Sequence, residues 1–159
     1  MGLTVTAYSH MRYVADYVPW WEEKRFRRWH EVRSGSFPFR MDGFEEGWYE
    51  CSGEEVKFDL NDSGFGEWRR WLAEAALGIS YDDVVARHKE LAQHPFVRLL
   101  VFPDWIGSMG PETSARLASD FGLHGMTLLA NADPVHADVY RKFTHAFETA
   151  TQNGFVVFR

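Results

Sequence analysis

The sequence predicts an α+β fold: a single compact domain over residues 1–159, with a mixed or mostly antiparallel sheet packed by three to five helices. Three observations predict it. Short runs with period-two alternation occur beside longer runs whose apolar residues fall at helical spacing, and the two kinds do not alternate regularly. A chain of 159 residues can bury one core without metals or disulfides. With 45% hydrophobic and 16% aromatic residues it carries enough apolar surface to offset the entropy of ordering.

The elements follow in order. In "LTVTAY", Leu3, Val5 and Ala7 alternate with Thr4 and Thr6, the pattern of a half-buried strand. Pro19 opens "PWWEEKRFRRWHEVR", where acids precede bases and Trp21, Arg25 and Trp29 recur every four residues, so a helix is expected over 19–33. "SGSFPFRMDGFEEG" is rich in breakers and reads as loop. "GWYEC" and "EEVKFDL" flank Ser52-Gly53 and read as an antiparallel hairpin, with Val56, Phe58 and Leu60 inward.

The period then changes. In "NDSGFGEWRRWLAEAALG", Trp68, Trp71, Leu72, Ala75 and Ala76 form a helical stripe, Arg69, Arg70 and Glu74 face out, and Gly78 closes the helix. Ser80 caps a second helix expected over Tyr81–Gln93, which Pro95 ends. "FVRLLVF" is a short apolar run and reads as a central strand covered on both faces. In "FPDWIGSMGPETSARLASDF", Asp104 and Gly107 make a turn, and Gly110-Pro111 launch a helix buried through Ser114, Leu117, Ala118 and Phe121. Asp133-Pro134 start a last helix with Val135, Val139, Phe143, Ala146, Phe147 and Ala150 on one stripe. Asn153-Gly154 stop it, and "FVVFR" adds a closing strand.

Composition narrows function. A net charge of -6 argues against a general electrostatic grip on nucleic acid. The single Cys51 allows no internal disulfide and no cysteine zinc site, which fits a reducing, cytoplasmic setting. No apolar run reaches membrane-spanning length, so no membrane partner is expected. A homo-oligomer is compatible with everything in the sequence.

Two stretches share one design, in which a strand-like run enters a glycine-containing turn and then an amphipathic helix. They contribute Asp62, Ser63, Gly64 and Gly66, and Asp104, Trp105, Gly107 and Gly110, as candidate ligand-binding residues. Unpaired N–H groups at a helix start attract anions, and glycine lets a ligand approach the main chain. The competing reading is that both are simple helix starts. Neither stretch carries a phosphate-loop or dinucleotide pattern, so no cofactor is expected. Asp104 could serve as base, metal ligand or ribose acceptor, or it could hold its own turn. Trp105 could stack on a planar ligand or belong to the core. The seven histidines form no HxH or HExxH pair and imply no metal site, and no GxSxG elbow appears, so no catalytic residue is assigned. "KRFRRW", with Trp21 before it, offers Trp21, Arg25, Arg28 and Trp29 as a partner-binding strip, against the alternative of a solvated helix face.

The blocks "FDLNDSGFGEWRRWLAEAAL", "FVRLLVFPDWIGSMGPETSARLASDF" and "YRKFTHAFETATQNGFVVF" resemble a group of small proteins carried by tailed phages, prophages and bacterial genomes. That group has a Gly-Ser-Tyr-Ser-Gly turn before a Trp-bearing helix, then a Phe-Ser-Asp-Cys-Glu-Gly turn leading to Gly-Pro and Ser-x-Lys-Leu. Ser63, Gly64, Gly66, Trp68, Asp104, Gly107, Gly110, Ser114, Leu117, Asp120 and Phe121 match it by position. Pro103 replaces the Ser, and Trp105-Ile106 replace Cys-Glu, so any chemistry of that Cys or Glu is missing here. The resemblance implies a phage-like setting and no particular reaction.

The leading expectation is a non-catalytic phage or prophage accessory protein that binds a small anionic or nucleotide-like ligand between the two glycine turns, with counter-defence as one setting. The alternative is a protein-binding module that inhibits or adapts a host or phage protein through the aromatic-basic strip. A small hydrolase using Asp104 with a histidine ranks third.

Overall fold

The computed structural model describes residues 2–22, 45, 47–102 and 107–159. The alternating run at the start forms β1 (Gly2–Tyr8), which lies inside a four-stranded sheet. Its neighbours are β4 (Glu55–Asn61) on one side and β6 (Phe155–Phe158) on the other, and β5 (Gly107–Met109) lies beyond β6. Every pairing is antiparallel: Val5 faces Phe58 and Phe158, and Phe158 faces Gly107. Beyond the register, Thr4 and Arg159 exchange backbone hydrogen bonds of 2.7 and 2.9 Å.

A second, two-stranded sheet joins β2 (Met11–Ala15) to β3 (Trp48–Cys51). "GWYEC" and "EEVKFDL" are therefore both strands, but they do not form a hairpin with each other. β3 turns to β2 and β4 turns to β1, because Tyr49 and Cys51 must cover Phe155 and Val157 on one side of the main sheet. Tyr49 meets the Phe155 ring at 5.6 Å.

The helices cover the other side. They are α1 (Asp62–Leu77), α2 (Tyr81–Ala86), α3 (Val97–Leu100), α4 (Pro111–Ala130) and α5 (Pro134–Ala150). Leu3, Val5, Ala7, Phe58, Val156 and Phe158 pack from the sheet into the same core as Trp68, Leu72, Phe121, Phe143 and Phe147. The Trp68 and Phe143 rings stack at 4.9 Å. Burying about ten such large side chains, each worth roughly 1.5–3 kcal/mol, dominates the stability of the layer. The outcome is a mixed α+β architecture with antiparallel sheets.

Several expectations need correction. "FVRLLVF" is not a strand: Phe96 adopts φ 64°, and Val97–Leu100 wind into α3. A short apolar run with both flanks buried suits a core helix as well as a core strand. The strands at the sheet's centre are β1 and β6, so "FVVF" occupies an interior position. The second helix ends at Ala86, well before Gln93, although Ser80 does cap it by accepting from the Asp83 amide at 3.1 Å. Gly107 belongs to β5 and not to a turn. Arg69 does not face out; it is buried and donates to the Phe102 carbonyl at 2.9 Å. Val135 is exposed, while the rest of its stripe is buried. The expected helix over 19–33 and the loop that follows lie mostly outside the described residues; the described start is a turn at Trp20–Glu22, with the Glu22 amide donating to the Pro19 carbonyl at 2.8 Å.

Candidate functional site

Among the described residues a cleft lies where α1 and α5 begin, beside the end of β4. It has a volume of about 220 Å³ and is lined by Asp59, Leu60, Asn61, Gly64, Glu67, Trp68, Val135, His136, Asp138, Val139 and Lys142.

One wall comes from the strand-to-helix junction. Asn61 is both the last residue of β4 and the cap of α1, and its Oδ1 accepts from the Gly64 amide at 2.5 Å. Ser63 Oγ donates to the same oxygen at 3.3 Å. A Cβ at Gly64 would run into Asn61 Oδ1, so this glycine serves the cap. Next to it, Asp59 accepts from Thr4 Oγ1 at 2.6 Å across the β1–β4 pair.

The opposite wall comes from α5. Asp133 caps the helix through Oδ1, which accepts from the His136 amide at 2.8 Å. Its other oxygen, Oδ2, lies 2.6 Å from His136 Nδ1. The imidazole stacks on Trp71 with ring centres 5.0 Å apart, and Trp68 Nε1 donates to the His136 carbonyl at 3.2 Å. His136 is thus held by its ring face and its backbone carbonyl, and its Nδ1 lies close to Asp133 Oδ2 without making a hydrogen bond. Lys142 Nζ pairs with Asp138 at 2.8 Å.

This arrangement accepts hydrogen bonds and positive charge. Among the described lining residues three are carboxylates, and the one lysine is already paired with one of them. Among its described lining residues there is no Ser, Thr, Cys or Tyr, so these offer no side-chain hydroxyl or thiol nucleophile. Among the described residues no group of three His, Cys, Asp or Glu is placed to hold a metal ion.

The sequence-derived candidates are scattered relative to this cleft. Gly64 lines it, and Asp62, Ser63 and Gly66 occupy the first turns of α1 beside it. Gly107 sits in β5, at the opposite edge of the sheet from β4. Gly110 begins α4 just after Met109, which is level with Val156, Ala7 and Val56, five residues back along β4 from Asn61. At ~3.3 Å per residue and ~4.8 Å per strand, the starts of α1 and α4 are separated by about 17 Å along the sheet and about 14 Å across it. They do not share this cleft. Asp104 and Trp105, and Arg25, Arg28 and Trp29 of the partner strip, lie outside the described residues. Trp21 is exposed.

Asp59, Asn61, Glu67, His136, Asp138 and Lys142 were not singled out together by sequence reasoning. Asn61 before "DSG" carried a readable cap signal, and Asp133-Pro134 carried another. Nothing local reveals that the two caps adjoin. Among the described residues no helix is long and apolar enough to cross a membrane. Comparison with known proteins returned no matching family model, curated protein or solved structure.

Proposed function

We propose that the chain is a non-catalytic binding domain whose ligand is a small molecule with an apolar body and a cationic or hydrogen-bond-donating group, seated in the cleft between α1 and α5. The observation that carries this reading is the lining itself: Asp59, Glu67 and Asp138 stand around the apolar Leu60, Val135 and Val139. The expectation of an anionic or nucleotide-like ligand relied on open helix starts. At the start of α1 the Asn61 side chain takes the Gly64 amide, the start of α4 has no side-chain cap but lies away from this cleft, and a phosphate in the cleft would meet three carboxylates. The cleft therefore supports the binding role with a ligand of the opposite charge. In the phage or prophage setting that the sequence blocks suggest, such a domain would act as an accessory protein that sequesters its ligand.

Calorimetric titration with agmatine, arginine and spermidine, beside AMP and cyclic nucleotides, tests this. Saturable heat is expected for an amine and not for a nucleotide, and it should weaken with salt. Glu67→Gln, at an exposed position, should reduce amine affinity by about 3–10-fold while leaving the fold intact. Nucleotide binding without amine binding would overturn the ligand class; no binding of either would overturn the site.

A second reading has its own observation. Trp20 and Trp21 are 74% and 63% exposed and meet edge to face at 5.8 Å. Paired exposed tryptophans are a common anchor of protein interfaces, so the alternative is a module that inhibits or adapts a host or phage protein. Recovery of one protein from a bacterial lysate by the wild-type chain, but not by Trp20→Ala/Trp21→Ala, would support it; equal recovery by both would refute it.

A further inference from the structure

The exposed face of α4 has a composition unlike the rest of the described surface. From Ala115 to Ala130 its exposed residues are Ala115, Ser119, Gly122, Leu123, Met126, Thr127 and Ala130, all uncharged in a chain where a quarter of the residues carry charge. Leu123 is 77% exposed and Met126 is 90% exposed. The ionisable residues of the same stretch are turned toward their own domain. Arg116 donates to the Gln93 carbonyl and side chain at 2.6 and 2.8 Å, Asp120 accepts from the Phe96 amide at 3.0 Å, and the His124 ring lies 5.8 Å from that of Phe96.

We propose that this face of α4 docks against the same face of a second copy of the chain, in an antiparallel contact about a two-fold axis passing between Gly122 and Leu123. Reversing the helix on itself about that point sets Leu123 over Gly122 of the second copy, Met126 over Ser119, and Ala130 over Ala115. Each large side chain then meets a small one. A parallel contact would set Leu on Leu and Met on Met and leave Gly opposite Gly. Any two-fold contact requires the patch to complement itself, and the size pattern does so in the antiparallel orientation. Charge agrees with it: a two-fold contact brings like groups toward each other, so a face cleared of charge carries no such repulsion, and antiparallel helix dipoles attract. The open position at Gly122, where an added Cβ meets nothing within 4 Å, is the socket for Leu123.

The expected dimer is weak. A helix of 20 residues is about 30 Å long, and one such face buries less than the roughly 800 Å² per partner of standard interfaces, so a dissociation constant on the order of 100 µM is expected.

Sedimentation equilibrium from about 5 µM to about 1 mM reads it directly. The weight-average mass should climb from 18.5 kDa toward twice that value. Leu123→Glu should hold the chain at monomer mass. Gly122→Leu should do the same by filling the socket, with a thermal midpoint no lower than wild type. Ser119→Lys and Met126→Glu should each weaken association and together restore it, because the two positions face each other only in the antiparallel contact. Monomer mass across the whole range overturns the proposal. A dimer indifferent to Leu123→Glu and Gly122→Leu also overturns it, by placing the interface elsewhere.

Discussion

Arg69 is 4% exposed, although its neighbour Arg70 faces solvent and both stand on the helix face that periodicity assigns to water. Its guanidinium lies over Phe65 at 4.4 Å and Tyr81 at 5.1 Å, and it donates to Phe102 O, just past the end of α3, where a short helix leaves carbonyls without amide partners. Arg69→Ala should therefore cost about 2–4 kcal/mol in urea unfolding, against about ±0.5 kcal/mol for Arg70→Ala. Equal losses would mean that the buried guanidinium contributes nothing specific. Asp120 is a second such case. Its Oδ2 accepts from the amide of Phe96, a non-glycine residue at φ 64°, while burial pushes its carboxyl above the usual carboxylate range despite that amide and the nearby Arg116, His124 and Arg98. The native state thus holds this proton to higher pH than the unfolded chain does. Stability from this group rises as pH falls through that window, and above the folded value the cost of the buried charge is constant. Asp120→Asn keeps an oxygen acceptor and removes the titration, so the variant should gain on wild type at neutral pH and lose that gain in acid. Asp120→Ala should cost about 1–3 kcal/mol by orphaning the Phe96 amide. A pH-independent difference between wild type and Asp120→Asn would refute the account.

Elements whose determinants are local were legible in the sequence. α1 follows from its stripe and from Gly78, which takes φ 68°, and α4 and α5 follow from Gly110-Pro111 and Asp133-Pro134. Elements defined by distant partners were not. "FVRLLVF" has no period of its own and became a helix packed against α2 and α4, and β3 and β4 are near in sequence but pair with different strands. The glycines divide in the same way. At Gly78 an added Cβ meets nothing within 4 Å, so Gly78→Ala should cost only the left-handed penalty of about 1–2 kcal/mol. At Gly154 a Cβ would collide with the Tyr8 carbonyl, because the turn from α5 to β6 crosses the end of β1, where the amides of His10 and Met11 donate to Gln152 and Asn153. Gly154→Ala should cost about 3 kcal/mol or more. Thermal midpoints of the two variants decide the order; a milder effect at Gly154 would mean that the turn can move aside.

The candidate cleft was invisible in sequence because its walls, at residues 59–68 and 135–142, become neighbours only when α1 and α5 pack on the same side of β4 and β1. The strand that most joins distant parts of the fold is β6, which lies between β1 and β5 and is buried on both faces. Val156 points into the helical core, whereas Val157 packs with Tyr49 and Cys51 under the small sheet. Alternation along a strand makes these neighbours independent probes of the two layers. Val156→Asp places a carboxylate in the main core and should abolish cooperative unfolding altogether. Val157→Asp should instead loosen the cover formed by β2 and β3 while the helical core persists. Cys51, buried and outside any disulfide, reports the difference. Its reaction with a thiol reagent should be slow in wild type, rapid in Val157→Asp with helical circular dichroism retained, and rapid in Val156→Asp with that signal diminished. If Val157→Asp left Cys51 as protected as in wild type, the small sheet would not depend on that face of β6.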